Sequence, residues 1–83
     1  MKPLHYTVHV LQRMEQRSID RRQIEVTIRE PHRRMPTLNR DRTRVMRTFG
    51  TKTLDVIYEE RERYVVVVTA MWLRSEDRKA KPE

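Results

Sequence analysis

Cysteine is absent from this 83-residue chain, and glycine occurs once. Without cysteine there is no disulfide staple and no thiolate metal site, a composition that fits a reducing, cytoplasmic setting. The single glycine, Gly50, excludes a glycine-rich phosphate loop and a low-complexity linker. Aromatics are scarce, with one Trp, one Phe and three Tyr, so the core must rest on aliphatic side chains. No apolar run approaches the roughly 20 residues of a membrane-spanning helix, and "MKPLHYTVHV" lacks the unbroken apolar stretch of a signal peptide. The expectation is a cytoplasmic protein without a membrane partner. At this length one domain is expected, assigned to residues 1–73, with 74–83 ("RSEDRKAKPE") as a flexible polar tail. A chain this small buries only about 60% of the surface its unfolded form exposes, so its core is thin.

Positive charge is what the chain has in abundance. The net charge is +7, and residues 1–50 carry it, with twelve Lys/Arg against five Asp/Glu; residues 51–83 hold seven of each. Fifteen of the nineteen basic residues are arginine, whose planar fork of donors meets phosphate or carboxylate at two points. Such a field attracts nucleic acid or an acidic protein partner.

Two helices and then strands are legible. Thr7 is placed to cap a first helix over about 8–17, with Val10, Leu11 and Met14 as its buried stripe. In "SIDRRQIEVTIREP" Asp20 is an N-cap, Gln23 completes a capping box, Ile19 and Ile24 are spaced as a staple, and Pro31 stops a helix over about 20–30. The periodicity then changes to two. "RRMPTLN" reads as a short edge strand, and "RTRVMRTFG" and "TLDVIYEE" flank Gly50 as a hairpin that sets Val45 opposite Val56 and Arg42 opposite Glu59. "YVVVVTAMWL" returns as the expected central strand. Pairing Tyr58 with Tyr64 puts Leu54, Val56, Tyr58, Val66, Val68, Ala70 and Trp72 toward the helices. Met46, Ile57, Val65, Val67 and Met71 then lie on the other face with Arg42, Arg44 and Asp55; a one-residue slip would exchange the faces.

One row of side chains lies beside the core stripe of the first helix: His9, Arg13 and Arg17, four residues apart. It suits a phosphate or carboxylate site. It equally suits a structural role, with His9 bonded to a backbone carbonyl, Arg13 paired with Glu15 or a strand carboxylate, and Arg17, nearest the stripe, anchoring the corner between the helices. His5, His9 and His32 have no carboxylate or cysteine at ligand spacing, so no metal and no cofactor is expected. Trp72 is read as core rather than as a base-stacking platform.

The run "YTVHVLQRMEQRSIDRRQIEVTIREP", a charged hairpin and a valine-rich strand ending in "MWL" together resemble small bacterial domain-of-unknown-function proteins related to the RelE/ParE toxin superfamily, of which BrnT is a relative. Their pattern is Tyr-Ser/Thr-x-His, three residues, Arg, three residues, Arg, then Ile and a helix cap. Tyr6, Thr7, His9, Arg13, Arg17, Ile19 and Asp20 match it, and the likeness spans about residues 5–73. Unlike the better-known RelE ribonucleases, this chain has few lysines. The resemblance implies an α+β fold, with two N-terminal helices on one face of a three- to four-stranded antiparallel sheet. It also implies a toxin-like, RNA-directed protein of a toxin–antitoxin system, acting on RNA or the ribosome and neutralised by an acidic antitoxin.

A metal-free endoribonuclease needs a base for the 2′-hydroxyl, a cation on the phosphorane and an acid for the leaving oxygen. On that reading His9, Arg13 and Arg17 are the catalytic candidates, with Tyr6 or Tyr58 as a second proton-transfer group. Arg33, Arg34, Arg42 and Arg44 would track the nucleic-acid backbone. The alternatives are a non-enzymatic, ParE-like inhibitor of a protein target and a noncatalytic nucleic-acid-binding or interaction module.

Overall fold

The computed structural model describes residues 2–74. The element order is β1 (Leu4–Tyr6), α1 (Val8–Gln16), α2 (Arg21–Arg29), β2 (Arg33–Met35), β3 (Arg42–Phe49), β4 (Lys52–Glu60) and β5 (Val65–Arg74). Of the expected polar tail, Arg74 ends β5 and 75–83 lie outside the described residues. No helix among the described residues is long and apolar enough to cross a membrane.

Both helix starts form as their sequences dictate. Thr7 Oγ1 accepts the Val10 N–H, and the Asp20 carboxylate accepts the Gln23 N–H while the Gln23 side chain accepts the Asp20 N–H. α1 ends in a left-handed turn, with Ser18 at φ 56°. The Ile19 N–H reaches Met14 O at 2.9 Å and the Ser18 N–H reaches Glu15 O at 3.4 Å. This is a Schellman closure, and Ile19 and Met14 are both in the core beneath it. Serine pays a steric cost there that glycine avoids. Ser18→Gly should therefore stabilise the fold by about 0.5–1 kcal/mol, read as a higher urea midpoint at unchanged slope.

The sheet runs β1-β5-β4-β3-β2. It has five strands rather than the three or four expected, and it is mixed, because β1 lies parallel to β5. At three residues, β1 is too short to show an alternating pattern in the sequence. β4, not β5, is the central strand. The β3–β4 hairpin has the expected register, Val45 opposite Val56 and Arg42 opposite Glu59. Its two-residue turn places Gly50 at φ 67°, the first central position of a type II′ turn, where glycine is required.

The β4–β5 register differs from expectation. Tyr58 faces Val67 rather than Tyr64, because a four-residue loop, closed by the Arg61 N–H on Tyr64 O, separates the strands. Val67 pairs with Tyr58 and Thr69 with Ile57, so Val68 is an extra residue that shifts the register. Val65 and Val67 consequently join the core, Val66 and Val68 turn to the opposite face, and Ala70 and Trp72 still point to the helices. Four consecutive valines are apolar in either register, so periodicity cannot choose between them.

The core is a single layer between the helices and one sheet face: Val10, Met14, Ile19, Ile24 and Ile28 against Val45, Leu54, Val56, Tyr58, Val65, Val67 and Ala70. Leu11, expected in the α1 stripe, is exposed. Thr27 takes an inward place on α2, its hydroxyl donating to Gln23 O at 2.7 Å.

Candidate nucleic-acid interface

The fold separates the expected site residues into two groups. α1 packs on β5 and α2 on β4 and β3, whereas Arg33 and Arg34 lie on the far edge strand β2. Three strand spacings separate β5 from β2, about 14 Å. The row on α1 and the arginines of the β2–β3 edge therefore do not meet in one pocket.

Within the row, roles divide again. Arg17 caps the end of α1, half-buried, and its guanidinium donates to Ala70 O on β5 at 2.8 Å while the Trp72 indole N–H donates to Arg17 O at 2.8 Å. It is a clamp between the helix end and the sheet. Trp72 packs against the core edge-on to Phe49. His9 and Arg13 are exposed one turn apart, and their side chains take part in no hydrogen bond or ion pair among the described residues. Tyr6 packs on the core with the Arg21 guanidinium 5.1 Å from its ring centre. Burial raises the Tyr6 hydroxyl above its ordinary pKa, and Glu25 adds to this while Arg21 opposes it, so Tyr6 is poorly suited to act as a base. Among the described residues no group of three or more His, Cys, Asp or Glu is placed to hold a metal ion.

At the other edge, Arg33, Arg34 and Arg40 are exposed and have no acidic partner among the described residues. Arg42 Nε donates to Glu59 Oε2 at 2.9 Å. Arg44 grips Asp55 in a fork, Nε to both carboxylate oxygens at 3.0 and 3.1 Å and Nη2 to Oδ2 at 2.6 Å. That hydrogen bond raises the Arg44 pKa, against the opposing effect of burial. Neither arginine is consumed: Arg42 commits one of its five N–H donors, and the Arg44 fork leaves its Nη1 donors over. The Arg42 edge pair was legible as a cross-strand neighbour, but the Arg44–Asp55 pair is diagonal, since Arg44 stands opposite Ile57 and Asp55 opposite Met46.

The hydrogen bond from Arg42 holds the Glu59 carboxyl below its usual range, assisted by the charges of Arg61 and Arg42 and opposed by burial. A depressed folded value means that this contribution is present above the unfolded pKa and is lost as pH falls through the folded one. Acid titration followed by urea midpoint should show this decline, and Glu59→Gln should remove that component.

Two clefts open beside the β2–β3 connection. One, about 410 Å³, is lined by Arg34, Met35, Pro36, Arg42 and Thr43. The other, about 380 Å³, is lined by Pro36, Thr37, Leu38, Asn39, Arg42, Arg44 and Ile57. Three of the four arginines expected to meet nucleic acid thus line connected concavities. The contribution of Pro36, Leu38 and Asn39 was missed in the sequence, where an isolated leucine between turn residues was the only signal.

The family model described as a domain of unknown function (DUF4258) matches residues 6–72. The chain belongs to this family. Neither a curated protein nor a solved structure gives a match. The DUF4258 span runs from the Tyr6 of β1 to the Trp72 of β5 and so includes both helices, the α1 row and the cationic edge.

Proposed function

We propose that this DUF4258 member is a toxin-like, RNA-directed protein of a toxin–antitoxin system, related to the RelE/ParE superfamily. The observation that carries the RNA contact is the β2–β3 edge, where Arg33, Arg34 and Arg40 have no acidic partner among the described residues and Arg42 and Arg44 are held by Glu59 and Asp55 with donors to spare. Guanidinium groups fixed in this way meet phosphate without first being ordered. Two N-terminal helices packed on one face of a sheet fit the α+β class the resemblance implies, while the mixed, five-stranded sheet departs from its three- to four-stranded antiparallel form. An acidic antitoxin segment would take the opposite sheet face, where Ile57, Val66 and Val68 are half-buried and Met71 is exposed.

A metal-free endoribonuclease is the enzymatic form of this reading, with His9 as proton-transfer group and Arg13 on the phosphate. The noncatalytic RNA-binding form draws support from the separation of the α1 row from the cationic edge and from the clamp role of Arg17. Binding to RNA should weaken steeply as salt rises, because each neutralised phosphate releases a counterion. Removing the Arg34 charge should weaken binding and reduce the log–log salt slope by about one. Fluorescence anisotropy across salt concentrations measures both, and an affinity independent of salt would overturn the RNA reading. RNA integrity after induced expression separates the enzymatic form from the binding form.

A further inference from the structure

We infer that the cleft beside the β2–β3 connection is a nucleotide subsite for single-stranded RNA, taking an unstacked base against Leu38, Pro36 and Ile57 and the adjoining phosphate on Arg42. This inference rests on the RNA-directed reading and names the form of RNA that it takes. Leu38 is fully exposed, the most exposed of the large apolar side chains among the described residues, and the core gains nothing from it. It nevertheless stands on a shaped loop. Asn39 Oδ1 accepts the Asp41 N–H at 2.9 Å, the Arg42 N–H donates to Asn39 O at 3.0 Å, and the Thr37 hydroxyl donates to Arg42 O at 3.1 Å and also to Asn39 O. A leucine presented on such a loop offers apolar area at little ordering cost.

The chemistry of the walls selects the occupant. Pro36, Leu38 and Ile57 give an apolar surface, while Arg42 and Arg44 line the same cleft with N–H donors left over from their carboxylates. Apolar surface for a base beside guanidinium for a phosphate is the pairing that single strands require. The volume, about 380 Å³, has the scale of a small-ligand site. Pro36 and Arg42 also line the neighbouring cleft with Arg34. Arg42 therefore sits at the junction of two concavities, where one phosphate would join successive nucleotides. A duplex keeps its bases stacked and paired, so it can offer this edge its phosphates but no base.

The test compares a short unstructured poly(U) RNA with an RNA duplex of equal phosphate count, by anisotropy at fixed salt. The single strand is expected to bind more tightly. Leu38→Ser, at a fully exposed position and so expected to leave the melting temperature unchanged, should weaken single-strand binding about fivefold to tenfold, leave the salt slope unchanged and leave duplex binding unchanged. Arg42→Gln should weaken both and reduce the slope by about one. Equal binding of the two forms, or a Leu38→Ser variant that holds poly(U) as the parent does, overturns the base subsite while leaving the RNA reading intact. Failure to bind either RNA overturns both.

Discussion

Asp55→Ala should lower the melting temperature by about 10–20 °C, a large loss for a domain of this size. Asp55 is 3% exposed, and its carboxylate takes three donor contacts from Arg44 alone. Deleting one partner of a buried pair costs about 3–5 kcal/mol, because the remaining charge is left without compensation. The Arg44 side chain is 31% exposed, so water recovers part of that loss and about 2–3 kcal/mol is expected. The charge, rather than the shape, is responsible. Asp55→Asn should lie between parent and alanine variant, and the paired change Arg44→Met with Asp55→Leu should return close to parental stability, since apolar replacement of a whole buried pair is often neutral. Thermal unfolding followed by circular dichroism checks the series, and a melting temperature unchanged by Asp55→Ala would mean that the fork contributes no net stability.

The second large effect concerns the α1 row under the endoribonuclease form of the proposal. His9→Ala and Arg13→Ala should each reduce RNA cleavage a hundredfold or more, the loss of about 2.7–4 kcal/mol of transition-state stabilisation. Their melting temperatures should stay near the parent value, because both side chains are exposed and bond to nothing in the described fold. Arg17→Ala should behave in the opposite way. Loss of its bond to Ala70 O should cost about 1 kcal/mol of stability, with folded protein cleaving as before. Parallel measurement of cleavage and unfolding on the three variants distinguishes chemistry from architecture. A His9→Ala variant that cleaves RNA at the parental rate would reject His9 as the proton-transfer group.

Roles within the opening motif also explain why it could not be read as one site. Thr7 and Asp20 are helix caps, Ile19 closes the α1 terminus over Met14, Tyr6 packs beneath Arg21, and Arg17 ties α1 to β5. Spacing places His9, Arg13 and Arg17 in one diagonal row, but it cannot say that Ala70 O waits beside only the last of them. The β2–β3 clefts were still less legible. They arise where a loop, the edge of β3 and Ile57 of the central strand converge, and only Leu38 marked the place.

Local chemistry in the sequence by itself determined the helices and the first hairpin. A side-chain oxygen at Thr7 or Asp20 satisfies N–H groups three residues away, Pro31 cannot continue a helix, and Gly50 alone tolerates the turn that sets Val45 opposite Val56. Only the tertiary structure decided which valines are buried, where β1 pairs and which arginines are engaged. Val65 to Val68 are chemically equivalent in either register, so packing against the helices and the extra residue at Val68 had to choose. β1 gains its hydrogen bonds from a strand some sixty residues away. Arg17, Arg42 and Arg44 are the same residue type in sequence. What separates a helix-end clamp from a guanidinium held by an acid is the carbonyl or carboxylate that the fold brings to each.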